Sequence, residues 1–369
     1  MKKILYILIL PIFLGACDSV TENGEKTSDD SFDRSTLLTN VADNIIIPSL
    51  SSFQTKLTAL KQKTTAFNAS PNSTTLTDLR TAWYEAYKSW QYVEMFTVGK
   101  AEELLFDSYF NVYPLAYADV DKNIDKGSYD LDHPNNRNAL GFPAYDYLLY
   151  GIGIDDAEIL SKYTTHEKAT HYKKYLTDIV DKMTNLTALV LSDWKGAYRN
   201  KFVASTGNTA TSSLNMLVND FIYYYEKKLR AGKLGIPSGV FSGGTLYPEK
   251  VEAYYKKTIS KELLLESLKG VKDFFNGVHF NSENTGIGLK AYLEAINEED
   301  LASKINAQLD VARESITVKL NDNLSAQVIS DKDIVRDVYS ELQKVVGMLK
   351  VEMLTAIEVN VDYVDADGD

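Results

Sequence analysis

Four groups of side chains stand where chemistry could follow: Cys17, the pair His166 and His171, Glu94, and Asp146. Cys17 is the only cysteine, so no disulfide can form within the chain. It closes the run Leu14-Gly15-Ala16-Cys17, which matches the lipobox of bacterial lipoproteins. Gly15 and Ala16 fit a narrow peptidase site, and the thiol accepts lipid. His166 and His171 look at first like a zinc-binding helix. Two histidines reach one metal from one helix face when they are four apart. These are five apart, roughly 140° around a helix, and read as surface side chains at a helix start.

Glu94 continues a helix face formed by Leu76, Leu79, Trp83, Tyr87 and Trp90. A carboxylate on such a face leaves water and needs a cation, a metal or a set of donors. Oxygen ligands suit hard cations, and mixed Glu/His sites suit iron or zinc. The ordinary alternative is a helix-end carboxylate reaching solvent or a lysine. Asp146 lies in Gly141-Phe142-Pro143-Ala144-Tyr145-Asp146-Tyr147-Leu148-Leu149-Tyr150-Gly151. Pro143 suits the first position of a helix, and Asp146 then falls in the first turn, where the helix dipole favours a negative charge. No glycine-rich phosphate loop, nucleophile elbow or Ser/His/Asp set is visible.

The elements that must position these residues read as helices throughout. Leu37, Val41 and Ile45 start one helix, which Pro48 is expected to kink before Leu57 and Leu60 continue it. Thr75 with Asp78 makes a capping-box pattern for the next helix. Residues 99–138 are less regular, punctuated by Pro114, Gly127 and Pro134. A short helix runs from Pro143 to near Gly151, and a long one from about His166 to Tyr198. Another carries Leu214, Leu217, Phe221, Tyr225 and Leu229 and ends at Gly232, Gly235 and Pro237. Residues 239–248 form a loop. Helices are expected over 251–258, 263–275, 289–296, 301–320 and 334–357, and 359–364 alternates like a strand. The class is all-α. Short connections between long amphipathic helices favour antiparallel bundles.

Ahead of these helices, Lys2 and Lys3 followed by the apolar run Ile4 to Leu14 form a signal peptide, residues 1–16, too short to span a bilayer. More than one acyl chain on Cys17 would make membrane attachment stable. Residues 17–35 read as an acidic flexible tether. A first helical bundle with a long excursion is placed at 36–235 and a second at 236–369. Removal of the signal moves the formal charge from −12 to −14. So acidic a chain is a poor binder of nucleic acid or anionic membrane surfaces. Its 24 tyrosines read mainly as helix packing with wet edges.

Several segments together resemble the imelysin-like proteins, also classed as peptidase family M75. Trp83 to Gly99 is similar to that family's Trp-rich helix with a glutamate near its end. Val112 to Ile124, Arg230 to Gly239, Pro248 with Glu252, Gly288 to Leu293 and Val359 to Asp369 also match, and Gly141 to Gly151 occupies the place of the GxHxxE motif. The resemblance implies two helical bundles related by a pseudo-twofold, a site near their interface, an envelope location and association with iron uptake. It makes Glu94 and Asp146 the metal candidates, and Trp90 and Arg230 the binding candidates. The chain departs from the pattern at the motif itself. Pro143 stands in the histidine position and cannot ligate a metal through its side chain, and Asp146 replaces glutamate with one methylene fewer.

The expected function is a non-enzymatic binding lipoprotein of the cell envelope, linked to iron, other divalent metal or haem acquisition. A metallopeptidase and a glycan- or partner-binding surface lipoprotein are the alternatives. The expected cofactor is iron, another divalent cation, or none. The expected partners are the membrane through lipid and a metal ion or haem, with no nucleic acid. Asp18 after Cys17 is the inner-membrane retention signal of enteric bacteria, but acidic tethers accompany surface export in other phyla, and the outer membrane is the expected location.

Overall fold

The computed structural model describes residues 32–361. The signal peptide, Cys17 and the acidic run up to residue 31 lie outside the described residues, as do residues 362–364 of the strand-like ending. The fold begins before the expected end of the tether. Asp33 caps the helix Arg34–Asn40 by accepting the Thr36 amide. Arg34 is buried and donates to the Tyr292 hydroxyl at 2.7 Å and to the Gly207 carbonyl at 3.1 Å.

Eight principal helices carry the architecture: α1 (Ile47–Ala69), α2 (Ser73–Trp90), α3 (Gly141–Tyr150), α4 (Ala169–Lys195), α5 (Ser213–Tyr223), α6 (Ser260–Asn276), α7 (Glu299–Lys319) and α8 (Lys332–Gly347). In one half α1 packs between α2 and α4; in the other α7 packs on α6 and α8. The halves are tied together. Asn40 donates to the carbonyls of Gly277 and Ile287, and α6 lies against α2 and, at Gly270, against Tyr92 and Met95 in the turn that follows α2. The buried apolar side chains form one contiguous cluster. Among the described residues the β structure amounts to an isolated bridge between Val278 and Thr285, and Val359 to Val361 form no strand. None of the described helices is long and apolar enough to cross a membrane.

Several local expectations change for identifiable reasons. At Pro48, where a kink is expected, the helical run is continuous and its winding changes just before the proline. A π-helical turn over Val41–Ile46 leads directly into α1 with Pro48 in its first turn. Proline removes the N–H that would bond to the carbonyl four residues back. That carbonyl, on Asn44, instead accepts the Phe280 amide at 2.8 Å. α2 starts a turn earlier than Thr75 suggests. Asn72 accepts the amides of Thr74 and Thr75, and the Thr75 hydroxyl accepts the Asn72 amide, a reciprocal cap. Asp78 is thereby free to pair with Lys63 at 2.8 Å. The helix expected over 251–258 is absent, and irregular turns with left-handed backbone at Ala253 and Lys257 replace it. A short helix, Leu324–Ser330, appears where none was expected. α5 continues as a π-helical stretch over Tyr224–Gly235, a wider winding that turns Tyr224, Glu226, Arg230 and Lys233 into the interior.

Candidate binding cavities

The motif helix α3 begins at Gly141, two residues ahead of Pro143. Gly141 has φ +74°, and a Cβ there would lie 2.2 Å from the Phe110 carbonyl oxygen. Only glycine permits this approach, which lets the Phe142 amide donate to that same oxygen at 2.7 Å. The Trp83 indole donates to the Phe142 carbonyl at 3.2 Å, and the Tyr87 ring stacks on Phe142 with centroids 4.5 Å apart. On the far side the Tyr145 hydroxyl donates to the Leu176 carbonyl at 2.8 Å. α3 is thus fixed between α2 and α4.

So held, α3 turns Asp146 inward, where it is 1 % exposed. Its carboxylate does not cap its own helix. One oxygen accepts the Tyr255 amide at 2.8 Å and the other the Lys256 amide at 2.9 Å. The residue therefore clamps the irregular segment that replaces the expected helix. Burial pushes the Asp146 carboxyl up to about 7, against the two amides and the Lys256 charge, which favour the anion. Beside it lies a cavity of about 220 Å³ walled mainly by Tyr113, Tyr117, Pro143, Tyr254 and Tyr255.

The clamped segment carries a second anchor. Glu252 is 1 % exposed and forms a buried ion pair with Lys233, itself 2 % exposed. Lys233 also donates to Gln91 at 2.9 Å, Asn111 donates to Glu252 at 2.8 Å, and Tyr87 donates to Asn111 at 2.6 Å. Ser267 completes the set by donating to Gln91 at 2.6 Å. This network joins α2, the π-helical stretch, α6 and the segment after Pro248. Reasoning from the residues missed it because its members lie far apart in sequence, and periodicity assigned Glu252 to a helix. Only the matches at Arg230 to Gly239 and at Pro248 with Glu252 pointed there.

Glu94 lies elsewhere, in the turn after α2. It is 5 % exposed and accepts no hydrogen bond from the described residues. Burial pushes its carboxyl up to about 7, opposed by the Lys228 and Lys233 charges and reinforced by Glu252 and Asp107. It lines a separate cavity of about 160 Å³ that shares no residue with the one beside Asp146. Trp90, expected at a binding surface, is fully buried and stacks on Phe110 with centroids 4.5 Å apart. Arg230, the other binding candidate, is 1 % exposed inside the second half. There it donates to Tyr339 and Gln343 and faces Glu226 at 3.8 Å. Both are interior packing residues. The aromatic side chains of α2 face the core because its apolar stripe is the face that α1 and α3 cover.

The residues present do not fit the family's metal. Pro143 offers no ligand, both Asp146 oxygens hold backbone amides, and Glu94 lies in another cavity. Among the described residues no three His, Cys, Asp or Glu side chains are grouped to hold a metal ion. The two histidines are apart as their spacing requires. His166 precedes α4 and accepts the Lys168 amide, whereas His171 sits on α4 and contacts the Ile124 carbonyl at 2.7 Å. A larger open cleft of about 770 Å³ runs along 112–138, but its amides are engaged within the protein: Asn123 donates to Asn136 and Asn136 to the Asp130 carbonyl.

Fold and motif position together define an all-α, imelysin-type protein. The family model described as Imelysin, peptidase M75, matches residues 46–345, and the chain belongs to that family. Its fold is similar to that of an imelysin-like protein from Psychrobacter arcticum 273-4, with TM-score 0.69 and 17 % identity, covering 90 % of this chain and 97 % of that one. It is also similar to a putative iron-regulated protein A precursor from Parabacteroides distasonis ATCC 8503, with TM-score 0.66 and 18 % identity, covering 86 % and 95 %. No curated protein matches significantly.

Proposed function

We propose that this is a non-catalytic binding lipoprotein of the cell envelope that serves iron acquisition, with its ligand seat in the tyrosine-walled cavity beside Asp146. The Asp146 carboxylate carries this reading. Both its oxygens hold the Tyr255 and Lys256 amides, so the acid in the motif position builds the cavity wall. A metallopeptidase keeps three protein ligands and an open position for an activated water. No such trio is grouped among the described residues. The lipobox at Cys17 supports attachment to the membrane, with the outer membrane as the proposed site. The iron link draws on family membership and on a structural neighbour named as iron-regulated.

The cavity size narrows the ligand. About 220 Å³ is below the roughly 300–1,000 Å³ of pockets for drug-sized molecules. A haem macrocycle does not fit there, whereas a single ring does. A glycan-binding reading keeps its footing only at this place: Trp83 and Trp90 are fully buried packing residues, while Tyr117 is 55 % exposed at the cavity.

The test uses the mature lipidated protein in detergent, incubated with casein and divalent metals with or without a chelator. Its abundance is measured in iron-replete and iron-starved cells of its own host. No cleavage and a rise on iron starvation are expected. Chelator-sensitive cleavage that disappears in Asp146→Ala, or an abundance indifferent to iron, would contradict the reading.

A further inference from the structure

The second cavity carries a ligand chemistry of its own. Four carboxylates line it, Glu94, Glu102, Asp107 and Asp220, with Lys228 as the cation in its wall. Lys228 pairs with Asp107 at 3.3 Å and forms no ion pair with Glu94. Glu94 is thus an acid that is nineteen-twentieths buried and has no hydrogen-bond donor among the described residues. Its neighbour Tyr224 is 1 % exposed, and the Tyr224 hydroxyl is buried with Ser267 nearby but makes no hydrogen bond of good geometry among the described residues. A buried hydroxyl without a well-formed bond and a largely buried carboxylate without a protein donor are each costly, and native proteins rarely leave either unanswered. Two of them at one cavity describe the complement of a ligand that donates hydrogen bonds and carries positive charge.

We propose that the cavity between Glu94 and Tyr224 binds a small organic cation, a primary amine or short alkylammonium, whose N–H groups donate to both side chains. An anion is excluded by the balance of four carboxylates to one lysine. Among the described residues no three of these carboxylates are grouped as ligands of one metal ion, which favours an ammonium over a metal. The cavity, about 160 Å³, has room for on the order of ten water-sized groups, which suits a short alkyl chain behind the ammonium. The mouth is formed by exposed Glu102, Leu105 and Tyr223, so a ligand can enter from solvent. This site is independent of the cavity beside Asp146 and stands whether or not that one binds anything.

Calorimetric titration of the mature protein with n-butylamine, with n-butanol as the uncharged control and with calcium and ferrous ions as metal controls, tests the site. Butylamine binding is expected, with no heat from butanol. Glu94→Gln is expected to weaken it at least tenfold and Tyr224→Phe several-fold. Lys228→Met, which removes the competing cation, is expected to tighten it. The tightening variant keeps the test decisive should a weakening variant fold poorly. No butylamine heat, equal affinity in Glu94→Gln, or a metal that binds where the amine does not, would overturn the proposal.

Discussion

Two buried carboxylates in this protein have the same electrostatic history and opposite surroundings. Asp146 and Glu94 are both removed from water, and burial raises both to about 7. Asp146 has found two backbone amides, each bonded to a separate oxygen. Glu94 has none. A buried acid with its hydrogen bonds made belongs to the architecture, and it fixes a chain segment that lacks a regular backbone of its own. A buried acid with none is an unanswered cost in the fold, and such costs persist at places where a ligand answers them. The position of the family motif therefore identifies the structural acid, and the less regular segment after α2 supplies the available one.

The largest effect that would break this contrast is on the segment Asp146 holds. Lys233→Met leaves Glu252 buried without its cation, and loss of one partner of a buried pair costs about 3–5 kcal/mol. Urea unfolding is expected to show a loss of this size; an unchanged midpoint would mean that the network does not anchor the segment. Asp146→Ala strands two part-buried amides and is expected to cost about 1–3 kcal/mol. Hydrogen exchange at Tyr255 and Lys256 should accelerate selectively, ahead of α4.

The pH dependence sharpens the comparison at smaller scale. Both carboxyls take up protons in the folded state near pH 7, whereas in the unfolded chain they do so only near their ordinary values of 4.5 and 3.8. The folded state binds more protons between those limits, so stability rises as pH falls from 8 towards 5.5, by an amount on the order of 1–3 kcal/mol. Carboxylates held low by cations, such as Asp156 beside Arg80, titrate below that window and leave it clear. Urea midpoints at pH 8 and 5.5 check the direction. The smallest expected effect is that of Pro48→Ala, within about 1 kcal/mol. The π-helical turn already accommodates the ring, and the Asn44 carbonyl already has the Phe280 amide.

The helical class and most helix positions were legible because a period of 3.6 is imprinted by burial, as along α2, α4, α6 and α8. The inward direction of Glu94 was legible for the same reason. Segment 251–257 was not, because its shape is dictated by Asp146 and Lys233, which lie about 110 and 20 residues away in sequence. Periodicity sees local pattern, and this segment answers to distant partners. The family resemblance made Trp90 and Arg230 binding candidates, yet aromatic and guanidinium groups serve cores as readily as interfaces, and both are buried. Only burial separates those uses.

The thermal unfolding midpoints of Asp146→Asn and Glu94→Gln at pH 8, measured against the parent protein without ligand, test the contrast most directly. Asparagine keeps one acceptor and turns an N–H group toward the second amide, so Asp146→Asn should lower the midpoint. Glutamine removes a buried charge that has no donors, so Glu94→Gln should raise it. Shifts of the same sign would contradict the division between a structural carboxylate and an available one.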